Sequence, residues 1–98
     1  MPLQLRKQEN TSLISNTSAQ AQTTQERSEE AWQLYQLGVQ QYNQGQFGEA
    51  LKTFEQVLGI VREIGDRQGE GKTLNNIGYV YDNLGQYAQA LKYYQQAL

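Results

Sequence analysis

Residues 71–98, GKTLNNIGYVYDNLGQYAQALKYYQQAL, restate at an offset of forty the pattern of residues 31–58, AWQLYQLGVQQYNQGQFGEALKTFEQVL. Aligned without gaps, the two stretches share Leu34/Leu74, Gly38/Gly78, Asn43/Asn83, Gly45/Gly85 and Gln46/Gln86. They also share Ala50/Ala90, Leu51/Leu91, Lys52/Lys92, Gln56/Gln96 and Leu58/Leu98. Leu37/Ile77, Phe47/Tyr87 and Phe54/Tyr94 are conservative exchanges. Ten identities in twenty-eight positions at one fixed offset, with the apolar places kept, mark an internal repeat.

The physical content of the unit follows from its spacing. Leu74, Ile77, Gly78 and Tyr81 stand at i, i+3, i+4 and i+7, one face of a helix. A turn follows at Asn83-Leu84-Gly85-Gln86, where Gly85 can take the positive φ that ends a helix. Tyr87, Ala90, Leu91, Tyr94, Ala97 and Leu98 form a second stripe of the same period. Small Gly78 and Ala90 among larger neighbours suit two helices that cross closely, because a bulky side chain in a filled crossing costs roughly 1–3 kcal/mol. The unit is predicted to be a helix–turn–helix hairpin.

This pattern resembles the tetratricopeptide repeat. That family favours a large apolar residue at its fourth place, Leu at the seventh, a small residue at the eighth and an aromatic at the eleventh. Ala at the twentieth, an aromatic at the twenty-fourth and a small residue at the twenty-seventh complete it. Leu74, Ile77, Gly78, Tyr81, Ala90, Tyr94 and Ala97 fill those places in the second copy. The first copy supplies Leu34, Leu37, Gly38, Ala50 and Phe54 but has Gln41 at the eleventh place, with Tyr42 one late, and Val57 at the twenty-seventh. The forty-residue spacing and the lack of a closing Pro are similar to the long-repeat branch typified by kinesin light chains. The resemblance covers Ala31 to Leu98 and implies an all-α fold, two stacked hairpins of an α-α superhelix.

The expected helices are 24–43, 47–64, 67–84 and 87–98, with repeat 1 at about 28–64 and a truncated repeat 2 at about 67–98. Thr23-Thr-Gln-Glu26 has capping-box spacing for the first helix, whose inner stripe is Ala31, Leu34, Gly38 and Tyr42. Phe47, Ala50, Leu51, Phe54, Val57, Leu58, Val61 and Ile64 give the second helix the cleanest amphipathic pattern in the chain. Asp66 is placed to cap the third helix. Leu91, Tyr94 and Leu98 on the fourth are expected to want a following helix. Residues 1–22 are polar, rich in Gln, Ser, Thr and Asn, and are expected to be a disordered tail.

Composition removes several function classes. With no Cys and no His the chain lacks a thiol nucleophile, thiolate metal ligands and the commonest general base. Three cations against two anions give +1 for residues 1–27, and five against eight give −3 for residues 28–98; neither half suits nucleic acid. No apolar run approaches the ~20 residues of a membrane span. Gly69-Glu70-Gly71-Lys72-Thr73 invites comparison with a phosphate-binding loop, but Asp66 stands where the first Gly of that loop belongs. Nucleotide binding is therefore only a distant alternative, no cofactor is expected, and no spacing of carboxylates suggests an enzyme. Ala19-Gln20-Ala21 matches a signal cleavage pattern without the apolar core, so a cytoplasmic setting is expected with export left open. Asn10-Thr-Ser and Asn16-Thr-Ser fit the glycosylation sequon, which chance also explains.

In stacked hairpins the first helix of each pair lines a concave groove. The resemblance assigns groove places to Trp32, Tyr35, Val39, Tyr42 and Asn43, then to Lys72, Asn75, Asn76, Tyr79, Asp82 and Asn83. Aromatic rings and amides together suit an extended peptide or protein segment. The chaperone-binding carboxylate clamp of the family has Lys and Asn where Tyr35 and Val39 stand, and only Asn76 matches, so that ligand is not expected. Asn76 is expected to face the groove and to matter little for folding. The reading is a non-catalytic protein-interaction module, the N-terminal part of something longer that could precede an effector such as a caspase-like protease. The alternative of another class is structural self-association through the uncapped C-terminal helix.

Overall fold

The computed structural model describes residues 22–98, and the expectations for the tail, the A-x-A pattern and the sequons fall, Gln22 apart, outside the described residues. Four helices run in order: α1 Thr24–Asn43, α2 Phe47–Glu63, α3 Arg67–Asn83 and α4 Tyr87–Ala97. Among the described residues the regular structure is all helical, and each helix matches its expected span to within a residue at either end. α1 packs on α2, α2 on α3 and α3 on α4, two hairpins stacked through their middle helices.

The three connections are one turn used three times. Gly45, Gly65 and Gly85 have φ of 76°, 74° and 75°, in the left-handed region that a side chain disfavours. At each, the residue after the glycine donates its N–H to the carbonyl five residues back: Gln46 to Gln41, Asp66 to Val61, Gln86 to Tyr81. The glycine's own N–H reaches the carbonyl three back, on Tyr42, Arg62 and Asp82. This is the Schellman pattern, and it satisfies the last carbonyls of each helix. The residue after the glycine is in turn the N-cap of the next helix. A single turn therefore serves both within and between hairpins.

Helix starts differ. Thr23 and Glu26 form the expected capping box, each side chain bonded to the other's backbone N–H at 3.1 and 3.0 Å. That bond to the Thr23 N–H also holds the Glu26 carboxyl below its usual value. Asp66 accepts from the Gly69 N–H at 2.9 Å, as its position predicted. Gln46 and Gln86 make no side-chain cap bond.

The core is built mainly on α2, which sits between two neighbours. Ala50, Phe54, Val57, Leu58, Ile60 and Val61 are buried there, with Leu74, Ile77 and Val80 of α3 against them. Both close crossings use the predicted glycines. A Cβ on Gly38 would lie 2.6 Å from the Phe54 ring, and one on Gly78 would collide with the Tyr94 ring. Large rings thus fill the holes that the two glycines leave.

At three positions the packing departs from or adds to the repeat pattern, and at Tyr94 it corrects an expectation. Leu37 is exposed, although its counterpart Ile77 is wholly buried: α2 covers that face of α3, and no described helix covers it on α1. Tyr94 does not wait for a further helix, because its ring covers Gly78, sits 5.7 Å from Tyr79, and its hydroxyl donates to Asp82 at 2.6 Å. Burial, with the Asp82 carboxylate as acceptor, pushes that hydroxyl well above the usual phenol range. Gln41, the departure from the family pattern, accepts from the buried Thr53 hydroxyl at 2.7 Å. Their counterparts forty residues on, Tyr81 and Tyr93, instead stack at 5.5 Å. One pair of positions is coupled by a hydrogen bond in the first hairpin and by an aromatic contact in the second.

Candidate functional site: a groove between the first helices

The first helices of the two hairpins, α1 and α3, face one another over a floor supplied by α2. Two side-chain bonds tie them together. Asn76 donates from Nδ2 to the Tyr35 hydroxyl at 2.7 Å, and Asn83 donates from Nδ2 to the Tyr42 hydroxyl at 2.7 Å. Seven residues separate the two rungs on either helix, about 10 Å along the axis. Both bonds span a sequence separation of forty-one, so the rungs are a product of the repeat stacking itself.

The rungs divide the groove. Before the first rung lies a cavity of about 420 Å³, walled by Ser28, Trp32 and Tyr35 of α1 and by Gln68, Lys72 and Thr73 of α3, with Val57 and Val61 beneath. Between the rungs lies a second of about 280 Å³, lined by Tyr35, Val39, Tyr42, Asn43, Phe54, Asn76 and Tyr79. Tyr35 borders both. It is held from two sides, stacked on Trp32 at 5.9 Å with 9° between planes and edge-on to Phe54 at 5.9 Å.

Of the residues assigned to the groove from sequence, Trp32, Tyr35, Val39, Tyr42, Asn43, Lys72, Asn76 and Tyr79 do line these cavities. Asn75 is exposed and lines neither. Asp82 turns to Tyr94, and Asn83 closes the far end through Tyr42 and the Tyr79 carbonyl. Asn76 is not the uncommitted amide its register implied: one of its donors holds Tyr35. Among the described residues its Oδ1 and the Tyr35 O–H proton have no hydrogen-bond partner, which leaves an acceptor beside a donor. Ser28 and Gln68 carry no repeat signal, because they stand ahead of the places where the repeat pattern begins, and Gly69 stood out only in the phosphate-loop-like stretch.

Electrostatically the groove is mild. Asp66 borders the larger cavity but is engaged by the Gly69 N–H, and Lys72 makes no ion pair among the described residues. Arg27 pairs with Glu30 and Glu63 at 2.8 Å, and Arg62 with Glu70 at 2.8 Å, all partly or largely exposed and worth little each. The Gly69–Thr73 stretch is helical throughout, and the Thr73 hydroxyl donates to the Gly69 carbonyl at 2.7 Å. The Gly69 N–H is taken by the Asp66 side chain and the Glu70 N–H by the Asp66 carbonyl, and the later ones run along the helix axis, so the stretch offers phosphates no cradle. Among the described residues no group of three or more carboxylates is placed to hold a metal ion, and no helix is long and apolar enough to cross a membrane.

Comparison with known proteins finds no matching curated protein and no matching solved structure. Comparison with protein families matches residues 31–98 to the family described as tetratricopeptide repeat. That match runs from Ala31, within α1, to the end of α4, and takes in the Gly38 and Gly78 crossings, in a family that is structural and not catalytic. The chain belongs to the tetratricopeptide repeat family.

Proposed function

We propose that the groove between α1 and α3 binds an extended segment of a protein partner, with one apolar side chain in each cavity. The division of the groove by the Tyr35–Asn76 bond carries this reading. A ligand backbone crossing that bond meets a donor and an acceptor side by side, which an extended backbone can satisfy. Trp32, Tyr35, Tyr42 and Tyr79 supply contact area at a low entropy cost, since each ring has only two side-chain torsions. The units are repeat 1 at about 28–64 and repeat 2 at about 67–98, and the forty-residue offset is the ground for grouping them with long-repeat arrays. A cytoplasmic setting belongs to the same reading, with export left open by Ala19-Gln20-Ala21.

The chain's single Trp, Trp32, is 59% exposed on the wall of the larger cavity and reports on entry into it. Peptides selected from a random displayed library on the full chain should shift Trp32 fluorescence to the blue, with saturation. Lys72→Ala and Tyr79→Ala should each weaken the selected peptides by about tenfold, roughly 1.4 kcal/mol. Peptides that bind both variants as tightly as the native chain would place the site elsewhere.

A second reading, self-association, is favoured by the exposure of Tyr87 and Leu91 along α4. It is compatible with the first, because no α4 residue lines either cavity.

A further inference from the structure

The two rungs of the groove are one device used twice at a fixed interval. Tyr35 and Tyr42 leave α1 seven residues apart, about 10.5 Å along the axis and within about 20° of two full turns. Asn76 and Asn83 stand at the same interval on α3, and both bonds are 2.7 Å. Each hydroxyl accepts an amide N–H, which leaves its own proton to donate, and among the described residues nothing accepts it. Two donors in fixed register therefore stand at either end of the smaller cavity.

We propose, resting on the groove reading, that the groove takes a proline-rich segment in the polyproline II conformation, with prolines three residues apart seated in the two cavities. Such a segment has no internal hydrogen bonds, so its carbonyls are open to donors. It advances about 3.1 Å per residue, so groups three apart recur on one side every ~9.3 Å, within about 1 Å of the rung interval. A β-strand presents same-side groups every ~6.8 Å, and the rung interval falls midway between one such step and two. A helical ligand fails differently, because its carbonyls are already bonded within the helix. The cavities repeat the interval, since Trp32 in the larger and Val39 in the smaller are also seven residues apart.

The walls suit proline. Trp32 is stacked on Tyr35, Tyr42 leans on Phe47 at 5.7 Å, and Tyr79 on Tyr94 at 5.7 Å. Rings already propped in this way meet pyrrolidine rings at little ordering cost, because the φ of proline is fixed as well. Charge adds the same preference. One cation and one anion, Lys72 and Asp66, border the larger cavity and no charged residue borders the smaller, which matches a neutral segment. The Asn76 Oδ1 beside the first donor fits the N–H of a residue between the two prolines that is not itself proline.

Two end-blocked peptides with equal numbers of prolines test this, one of Pro-Ala-Ala units and one of Pro-Ala-Ala-Ala units. Each is titrated into the full chain up to about 1 mM, read by Trp32 fluorescence. The Pro-Ala-Ala peptide should saturate with a blue shift at one per chain, and the other should bind at least about tenfold more weakly. Tyr35→Phe and Tyr42→Phe keep the rings and remove the donors, so each should weaken the Pro-Ala-Ala peptide by about five- to tenfold. If Tyr35→Phe lowers the melting temperature by loosening α1 from α3, Tyr42→Phe reads the contact alone, since Asn83 keeps its bond to the Tyr79 carbonyl. Equal affinity for the two peptides, binding of neither, or unchanged affinity in Tyr42→Phe overturns the proposal. Library-selected peptides separate that failure from failure of the groove reading. Selected sequences that bind through Tyr79 yet lack prolines three apart sink the polyproline assignment and leave the groove standing. A chain that binds no peptide of either kind ends both.

Discussion

At the scale of single residues, glycine divides into three physical roles here. Gly45, Gly65 and Gly85 close helices at positive φ, Gly38 and Gly78 make room for a ring, and Gly59 does neither. A Cβ on Gly59 meets nothing within 4 Å, and the position is exposed in the middle of α2. Gly59→Ala should therefore stabilise the chain by roughly 0.5–1 kcal/mol through helix propensity alone. Gly78→Ala should do the reverse, by about 1–3 kcal/mol, because Tyr94 would have to leave both the crossing and its bond to Asp82. Urea unfolding of the two variants gives opposite signs if the crossings are as described. Equal and opposite changes in helix content would not mimic this, since both substitutions favour helix.

At the scale of elements, the helix boundaries were legible from the 3.6-residue apolar stripe and from the glycine that follows each of the first three helices, with a capping acceptor before α1 and α3 alone. Less was legible in how each helix packs. A one-face reading of α3 found Leu74, Ile77, Gly78 and Tyr81 but passed over Thr73 and Val80, which are equally buried. A helix between two neighbours has two buried faces, and a single stripe cannot report both. Ile60 on α2 was missed for the same reason. The caps offer a direct test of the same logic. Gln46 and Asp66 have similar backbone angles, φ −86°, ψ 69° and φ −83°, ψ 89°, after the same turn, yet only Asp66 bonds its helix start. Gln46→Asp should bring a carboxylate within reach of the Glu49 N–H and stabilise by about 0.5–1 kcal/mol. Asp66→Ala should lose about 1 kcal/mol. If Gln46→Asp is neutral in thermal unfolding, the two starts are not equivalent and the account of the shared turn is incomplete.

At the scale of the whole molecule, the groove was legible as a set of places but not as a divided cavity. The Tyr35–Asn76 and Tyr42–Asn83 bonds depend on how far one hairpin is shifted along the next, a quantity that no periodicity within a hairpin contains. The unequal ends of the stack, by contrast, can be traced to particular exchanges, Gln33 and Gln40 for Thr73 and Val80, once the packing shows which face matters. Repeat stacks gain stability from each neighbour interface, and an uncovered apolar end forfeits one. A helix with an apolar inner face and a polar outer face, appended after Leu98, should cover Tyr87, Leu91 and Leu98 together. If each gains on the order of 1 kcal/mol on being covered, the melting temperature should rise by roughly 10 °C or more, taking about 4–8 °C per kcal/mol for a domain of this size. Two readouts should move together. The melting temperature should rise and, if copies of the chain associate through that face, should also cease to depend on protein concentration. A capped chain that melts no higher than the native one would mean that α4 is already satisfied as it stands. A capped chain that melts higher but still gains stability with concentration would place any self-association on another part of the stack.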